Sequence, residues 1–232
     1  MPTTYTITLK NKCGMDHDYF LFVEAPQVSA GPQVFQNVYI SSPNVSTDSG
    51  TATFTCFADY YAVCGTSPNK ALGAKVTVTT ADSSPVQICQ GPTKLGTHCF
   101  MSGGLKPDGS GGRSANFIDS AQTIDCNQPG AYRVDCIDFK ANNGSNQFVG
   151  LGAQDPNDPT NIVPIAVFDA IPGTQNFLQP HATYYISWGT FTPGQIIDVT
   201  TVAPPAKIDF TGKANPNATV VHNSDGTWTV TQ

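Results

Sequence analysis

Alternation of apolar and polar residues is the feature that most limits what this chain can fold into. Tyr5, Ile7 and Leu9 alternate with Thr4, Thr6 and Thr8, and Val76 and Val78 with Thr77 and Thr79. Tyr184, Ile186 and Trp188 alternate with Tyr185 and Ser187, and residues 227–231 repeat the pattern around Trp228 and Val230. Successive side chains of a strand point to opposite faces, so such runs make half-buried strands with one wet face. Further candidate strands lie near 18–24, 35–40, 51–57, 85–89, 131–139, 147–151, 162–168, 195–202 and 218–222. Turn signals separate them, among them Asn143-Gly144, Pro193-Gly194 and Asp225-Gly226. No apolar period of helical length competes, and Glu24 is the sole glutamate. The expected fold is all-β: a two-sheet β-sandwich, jelly-roll or Greek-key-like, formed as a single domain by residues 1–232. Residues 101–116 stand apart as a long Gly-rich loop, either a surface loop or a lid.

Charge removes several function classes. Charged residues make up 12% of the chain and the net charge is -6. Nucleic-acid binding needs a basic stripe that releases counterions, and none is visible, so no nucleic acid is expected as partner. No apolar run approaches the length of a membrane span, so no membrane is expected either. Residues 1–10 lack the apolar stretch of a signal peptide. The expectation is a cytoplasmic chain or a mature secreted one.

The seven cysteines are dense for a reduced compartment. At least two disulfides are expected, with Cys56/Cys64, Cys89/Cys99 and Cys126/Cys136 as local pairs. The last is weakened by the Pro129-Gly130 turn, which sets Cys126 opposite Arg133. The alternative is free thiols buried as small apolar groups.

Catalytic signatures are missing. There is no Gly-x-Ser-x-Gly elbow and no His-Glu-x-x-His, since the sole glutamate, Glu24, follows Val23. The chain is therefore expected not to be an enzyme, although a pair of aspartates could still serve a secreted glycan hydrolase.

The densest polar cluster is Cys13-Gly14-Met15-Asp16-His17-Asp18-Tyr19. Two carboxylates flank an imidazole. At strand spacing Asp16 and Asp18 share a face and His17 points away; in a tight loop all three converge. Oxygen ligands favour Ca²⁺ or Mg²⁺, and the imidazole admits Zn²⁺ or Mn²⁺. Asp16, His17 and Asp18 are thus the expected ligands of a divalent cation, with the α-amino group or thioether of Met1 as a further candidate. A hairpin of residues 3–9 with 18–24 would instead carry Met1 towards Glu24. His98, His181 and His222 read as isolated. Phe20, Phe22, Tyr184 and Trp188 are the expected walls of a cavity for a small apolar molecule, which would bind by burial at about 25 cal/mol per Å².

Three segments carry a resemblance: the strand Thr3–Lys10, the Cys13–Tyr19 turn, and Tyr184-Tyr185-Ile186-Ser187-Trp188-Gly189. With them the chain resembles the small β-sandwich proteins of mushroom fruiting bodies, including the pink chromoproteins. That resemblance implies a non-enzymatic holder of a small organic chromophore. The alternative is a carbohydrate-binding lectin or defence protein, reading glycans with exposed Asp, Asn and aromatic residues.

Overall fold

The structure, a computed structural model, describes residues 4–29, 31–67, 72–103, 114–137, 139 and 146–232. Met1, residues 104–113 of the Gly-rich loop and the Asn143-Gly144 turn lie outside the described residues.

Strands make up nearly all of the regular secondary structure of the described residues. In chain order they are β1 (Thr4–Asn11), β2 (His17–Val23), β3 (Gln27–Val28), β4 (Phe35–Gln36), β5 (Val38–Val45), β6 (Thr51–Phe57), β7 (Tyr60–Thr66), β8 (Asp82–Pro85), β9 (Gly96–Ser102) and β10 (Asn116–Phe117). There follow β11 (Thr123–Cys126), β12 (Tyr132–Ile137), β13 (Gln147–Gln154), β14 (Ile162–Asp169), β15 (Gln175–Gln179), β16 (Thr183–Trp188), β17 (Ala206–Asp209), β18 (Asn217–His222) and β19 (Trp228–Thr231). A single 3-10 turn at Asp119–Ala121 interrupts them. The fold is all-β, as the alternation implied, with several sheets packed into a sandwich and no closed barrel.

Two four-stranded sheets matter most for the site. One runs β19-β18-β1-β6 and the other β17-β16-β2-β5. Ile7 and Leu9 of β1 meet Tyr19, Leu21 and Val23 of β2 in one apolar core, which also takes in Tyr184 and Ile186 of β16. Each such fully buried side chain contributes roughly 1.5–3 kcal/mol. The core continues into the sheets β10-β9-β12-β15-β3 and β4-β14-β13-β7-β8. Most pairings are antiparallel, but β1 pairs β18 and β12 pairs β9 in parallel. The first of these joins the two ends of the chain.

Three expected strands differ. Residues 76–79 and 195–202 are not strands; their backbones form only an isolated bridge between Thr77 and Gln195, beside which Val78 and Ile196 share a small core. The Pro193-Gly194 turn carries Gly194 at φ 81, and Lys75 at φ 66 turns the chain just before Val76, so neither segment stays extended long enough to build a ladder. The strand expected at 85–89 ends at Pro85.

The expected disulfides are absent: all seven cysteines are free, and every one but Cys13 is buried. Neighbours in sequence are not neighbours in space. Cys64 on β7 comes near Cys99 and Cys136, while Cys126 comes near Cys89. Cys99 stands opposite Val134 in the β9–β12 ladder, which places Cys136 diagonally from it. Burial pushes the Cys99 and Cys136 thiols up to about 11, so both stay protonated and inert at neutral pH.

Candidate functional site

The site lies where the two four-stranded sheets meet at one end of the sandwich. β1 ends at Asn11 and β2 begins at His17, so the turn 12–16 crosses from one sheet to the other. Asn11 fixes that turn. Its fully buried amide donates to the carbonyls of Met15 and Val45, each at 2.8 Å, and its Oδ1 accepts from Cys13 N–H at 3.1 Å. Gly14 takes φ +91, a conformation side chains resist, and its N–H reaches Thr47 Oγ1 at 3.0 Å. The parallel β1–β18 ladder sets His222 opposite Asn11, and Lys12 N–H donates to the His222 carbonyl at 2.9 Å.

Cys13, His17 and His222 converge as a result. The thiol sulfur and one ring nitrogen from each imidazole lie within 4.8 Å of one another. Each imidazole is backed by an indole. His17 lies against Trp188 with centroids 4.8 Å apart, and His222 stacks on Trp228 at 4.2 Å with planes 16° apart. These are the chain's two tryptophans. Trp228 is anchored in turn by Nε1–H donating to the Pro204 carbonyl at 2.8 Å. The Tyr19 hydroxyl forms a 2.8 Å hydrogen bond with His222 Nδ1. Burial pushes the Tyr19 phenol upward, so it keeps its proton. Burial first, and the neighbouring His17 second, lower His222, which favours its neutral form.

Beside this cluster opens a cleft of about 300 Å³ lined by Asp16, His17, Asp18, Asn44, Trp188, Gly189 and Thr190. The aspartates serve the neighbouring loops. Asp16 Oδ1 accepts from Thr47 N–H at 2.8 Å. Asp18 accepts from Thr190 Oγ1–H at 2.6 Å and Asn44 N–H at 2.9 Å. Those bonds, the Thr190 hydroxyl foremost, hold the Asp18 carboxyl below its ordinary range. Of the expected cation ligands, His17 therefore turns to a thiol and a second imidazole, while Asp16 and Asp18 face the cleft. The donors that converge are sulfur and nitrogen rather than oxygen.

The four expected cavity residues do not share a wall. In the β2–β16 ladder Trp188 stands opposite Tyr19 and Tyr184 opposite Val23, so Tyr184 and Trp188 share a face. Phe20 and Phe22 take the other face and pack with Val38 and Ile197. Tyr184 is sealed in the core against Tyr5 and Phe210. Phe22 instead borders a second cleft, of about 400 Å³, with Glu24, Tyr185, Val199 and Pro205 in its wall.

The family model of RhiA matches the chain over residues 2–232. The chain belongs to the RhiA family. No curated protein and no solved structure matches it. The likeness to mushroom chromoproteins thus has no named relative behind it. For this RhiA-family chain the sequence pointed to the right turn but to only one of the three clustered residues. His222 read as isolated because 205 positions, 222 minus 17, separate it from His17, and only the parallel β1–β18 pairing brings them together. The local signal available was the Asp225-Gly226 turn, whose hairpin sets His222 opposite Trp228.

Proposed function

We propose that this RhiA-family chain is a non-enzymatic binding protein that holds a small ring-bearing molecule in the His17–Trp188 cleft. The observation that carries the reading is Trp188, which stays 41% exposed on the cleft wall although Tyr184 and Ile186, its neighbours on the same strand face, are buried. An indole left in water beside carboxylates is a stacking platform with hydrogen-bond acceptors next to it. The favoured ligand has a flat or ring-shaped apolar face and hydroxyl or N–H donors at its edge. A sugar or a polar chromophore has both. The ionised Asp18 accepts hydrogen bonds and is poorly placed to donate a proton, which supports binding over glycan hydrolysis; a hydrolase acid needs a raised pKa.

Tryptophan fluorescence tests this directly, because both indoles report on this end of the molecule. Titration with a glycan panel and with planar aromatic dyes should give a saturable change that Trp188→Ala abolishes and Trp228→Phe retains. Saturable binding that is indifferent to Trp188→Ala would defeat the reading. A second reading, a largely apolar molecule in the cleft of Phe22, Tyr185 and Val199, is favoured by the stacked pair Phe22–Tyr185 at 5.2 Å. Binding lost in Val199→Asp but kept in Trp188→Ala would select it.

A further inference from the structure

The Cys13–His17–His222 cluster has a consequence that the cleft does not require. We propose that these three side chains form a transition-metal site, of the type that takes Zn²⁺ or a comparable thiophilic divalent ion.

Donor chemistry supports the class. One thiolate and two imidazoles suit Zn²⁺ and its soft or borderline neighbours, whereas Ca²⁺ and Mg²⁺ require an oxygen cage. Geometry supports the site. Ligand atoms on a tetrahedral zinc stand roughly 3.3–3.7 Å apart, as bond lengths of about 2.0–2.3 Å dictate. Here they lie within 4.8 Å before any ion draws them together. Side-chain rotation of about 1 Å closes that gap, and both Cys13 and His17 sit at partly exposed positions that permit it.

Preorganisation supports it further. The two imidazole centroids stand 5.7 Å apart, close enough for both rings to reach one ion. Stacking on Trp228 and the hydrogen bond to Tyr19 fix the His222 ring, and Trp188 confines His17. Such outer contacts orient ligand rings and raise affinity. The Asn11 amide holds Cys13 at the mouth of the cluster. Three protein ligands leave the fourth position of a tetrahedral ion open. His17 belongs to both the cluster and the cleft wall, so water or a donor atom of the cleft's occupant would fill that position.

Cobalt(II) is the probe, because a thiolate-bound, tetrahedral cobalt ion absorbs strongly and zinc(II) then bleaches the colour by displacement. The full chain, stripped by chelator and carrying no histidine tag, should bind one equivalent of Co²⁺ with a sulfur-to-metal charge-transfer band. Cys13→Ser should remove that band, and His17→Gln should weaken binding at least about tenfold. Both positions are partly exposed, so far-UV circular dichroism should show both variants folded. Asp16→Asn and Asp18→Asn should leave the spectrum unchanged. A folded wild-type chain without a thiolate band at one equivalent would overturn the site, as would a band that survives Cys13→Ser. A cobalt spectrum lost in Asp16→Asn but kept in Cys13→Ser would move the metal to the carboxylates. None of these readouts requires a molecule in the cleft, so this site and the ligand cleft can fail separately.

Discussion

Two buried histidines of this chain sit in opposite electrostatic settings. His98, on β9, has carboxylates at both ring nitrogens: Asp125 Oδ1 at 2.9 Å from Nδ1 and Asp135 Oδ2 at 3.2 Å from Nε2. Arg133 clamps Asp135 with two bonds of 2.7 and 2.6 Å. Phe100 covers the ring at 4.2 Å. His222, on β18, meets a phenol, a thiol and a second imidazole, and the cluster holds no carboxylate. One array balances acids against bases across a parallel strand pair; the other collects neutral donors at a sheet end. Burial does not distinguish them, since His98 is 5% and His222 3% exposed. What separates them is the company. Carboxylates balanced by a guanidinium hold a ladder together, whereas sulfur and nitrogen donors gathered at an open rim without a carboxylate among them suit an incoming ion.

Thiol chemistry gives the widest separation between the two regions. The His98 sheet carries Cys99, Cys126 and Cys136, all buried, while the rim carries the partly exposed Cys13. A chromogenic thiol reagent should modify Cys13 in the native protein orders of magnitude faster than the rest, and Cys13→Ser should remove that phase. In denaturant without reductant, all seven thiols should react. Fewer than seven would restore the disulfides that cysteine density had suggested.

Removing Arg133 should give the largest loss of stability. Arg133→Ala leaves the Asp135 carboxylate, 11% exposed, without its bidentate partner and against a buried imidazole. Stranding such a charge costs about 2–4 kcal/mol, which urea denaturation would register as a lower midpoint. His17→Gln at the rim should cost about 0.5 kcal/mol or less. Equal losses from both would make the rim cluster a packing device and erase the contrast.

The fold was legible because its determinants are local. Alternation from Tyr5 to Leu9 and from Tyr184 to Ile186 marks strands whatever their partners; Ile7, Leu9, Tyr184 and Ile186 are buried and Tyr5 partly so, as the pattern requires. The failures have one cause, which is dependence on partners. Val76–Thr79 alternates too, yet it has no ladder to join. Phe20 and Trp188 both looked like cavity residues, but which face each takes depends on the β2–β16 register, and period two fixes only parity within a strand. The clustering of His222 with His17 and Cys13 rests on a pairing between the first and next-to-last strands, which no local pattern encodes.

Glycine substitutions give a smaller effect and sharpen the boundary of the rim. Gly14 at φ +91 and Gly212 at φ +68 both lie in the region that disfavours a Cβ, and neither has a heavy atom within 4 Å of the position that Cβ would occupy. Ala at either should cost about 1 kcal/mol through backbone strain alone. Gly212 follows β17, whose Asp209 pairs with Thr183 at the opposite end of β16 from Trp188. Only Gly14→Ala, by shifting Cys13, should weaken cobalt binding. Equal weakening by Gly212→Ala would mean that cobalt affinity tracks global stability.

The smallest effect is a pH dependence, and its sign follows from His222. Its folded pKa lies below the ordinary 6.5, first because burial disfavours the imidazolium and second because His17 repels it. Between the folded and unfolded values the unfolded chain binds more protons, so stability rises with pH through that window. The contribution is complete above about pH 6.5 and is lost as pH falls towards and through the lowered value. Metal-free protein should therefore show a falling urea midpoint below pH 6.5, and His222→Gln should flatten that limb. His17→Gln should flatten it partly, because it removes the second cause and leaves the first. Metal at the rim should steepen the limb, since protons then compete with the ion for both imidazoles. An unchanged slope in His222→Gln would assign the acid sensitivity to the carboxylates around His98.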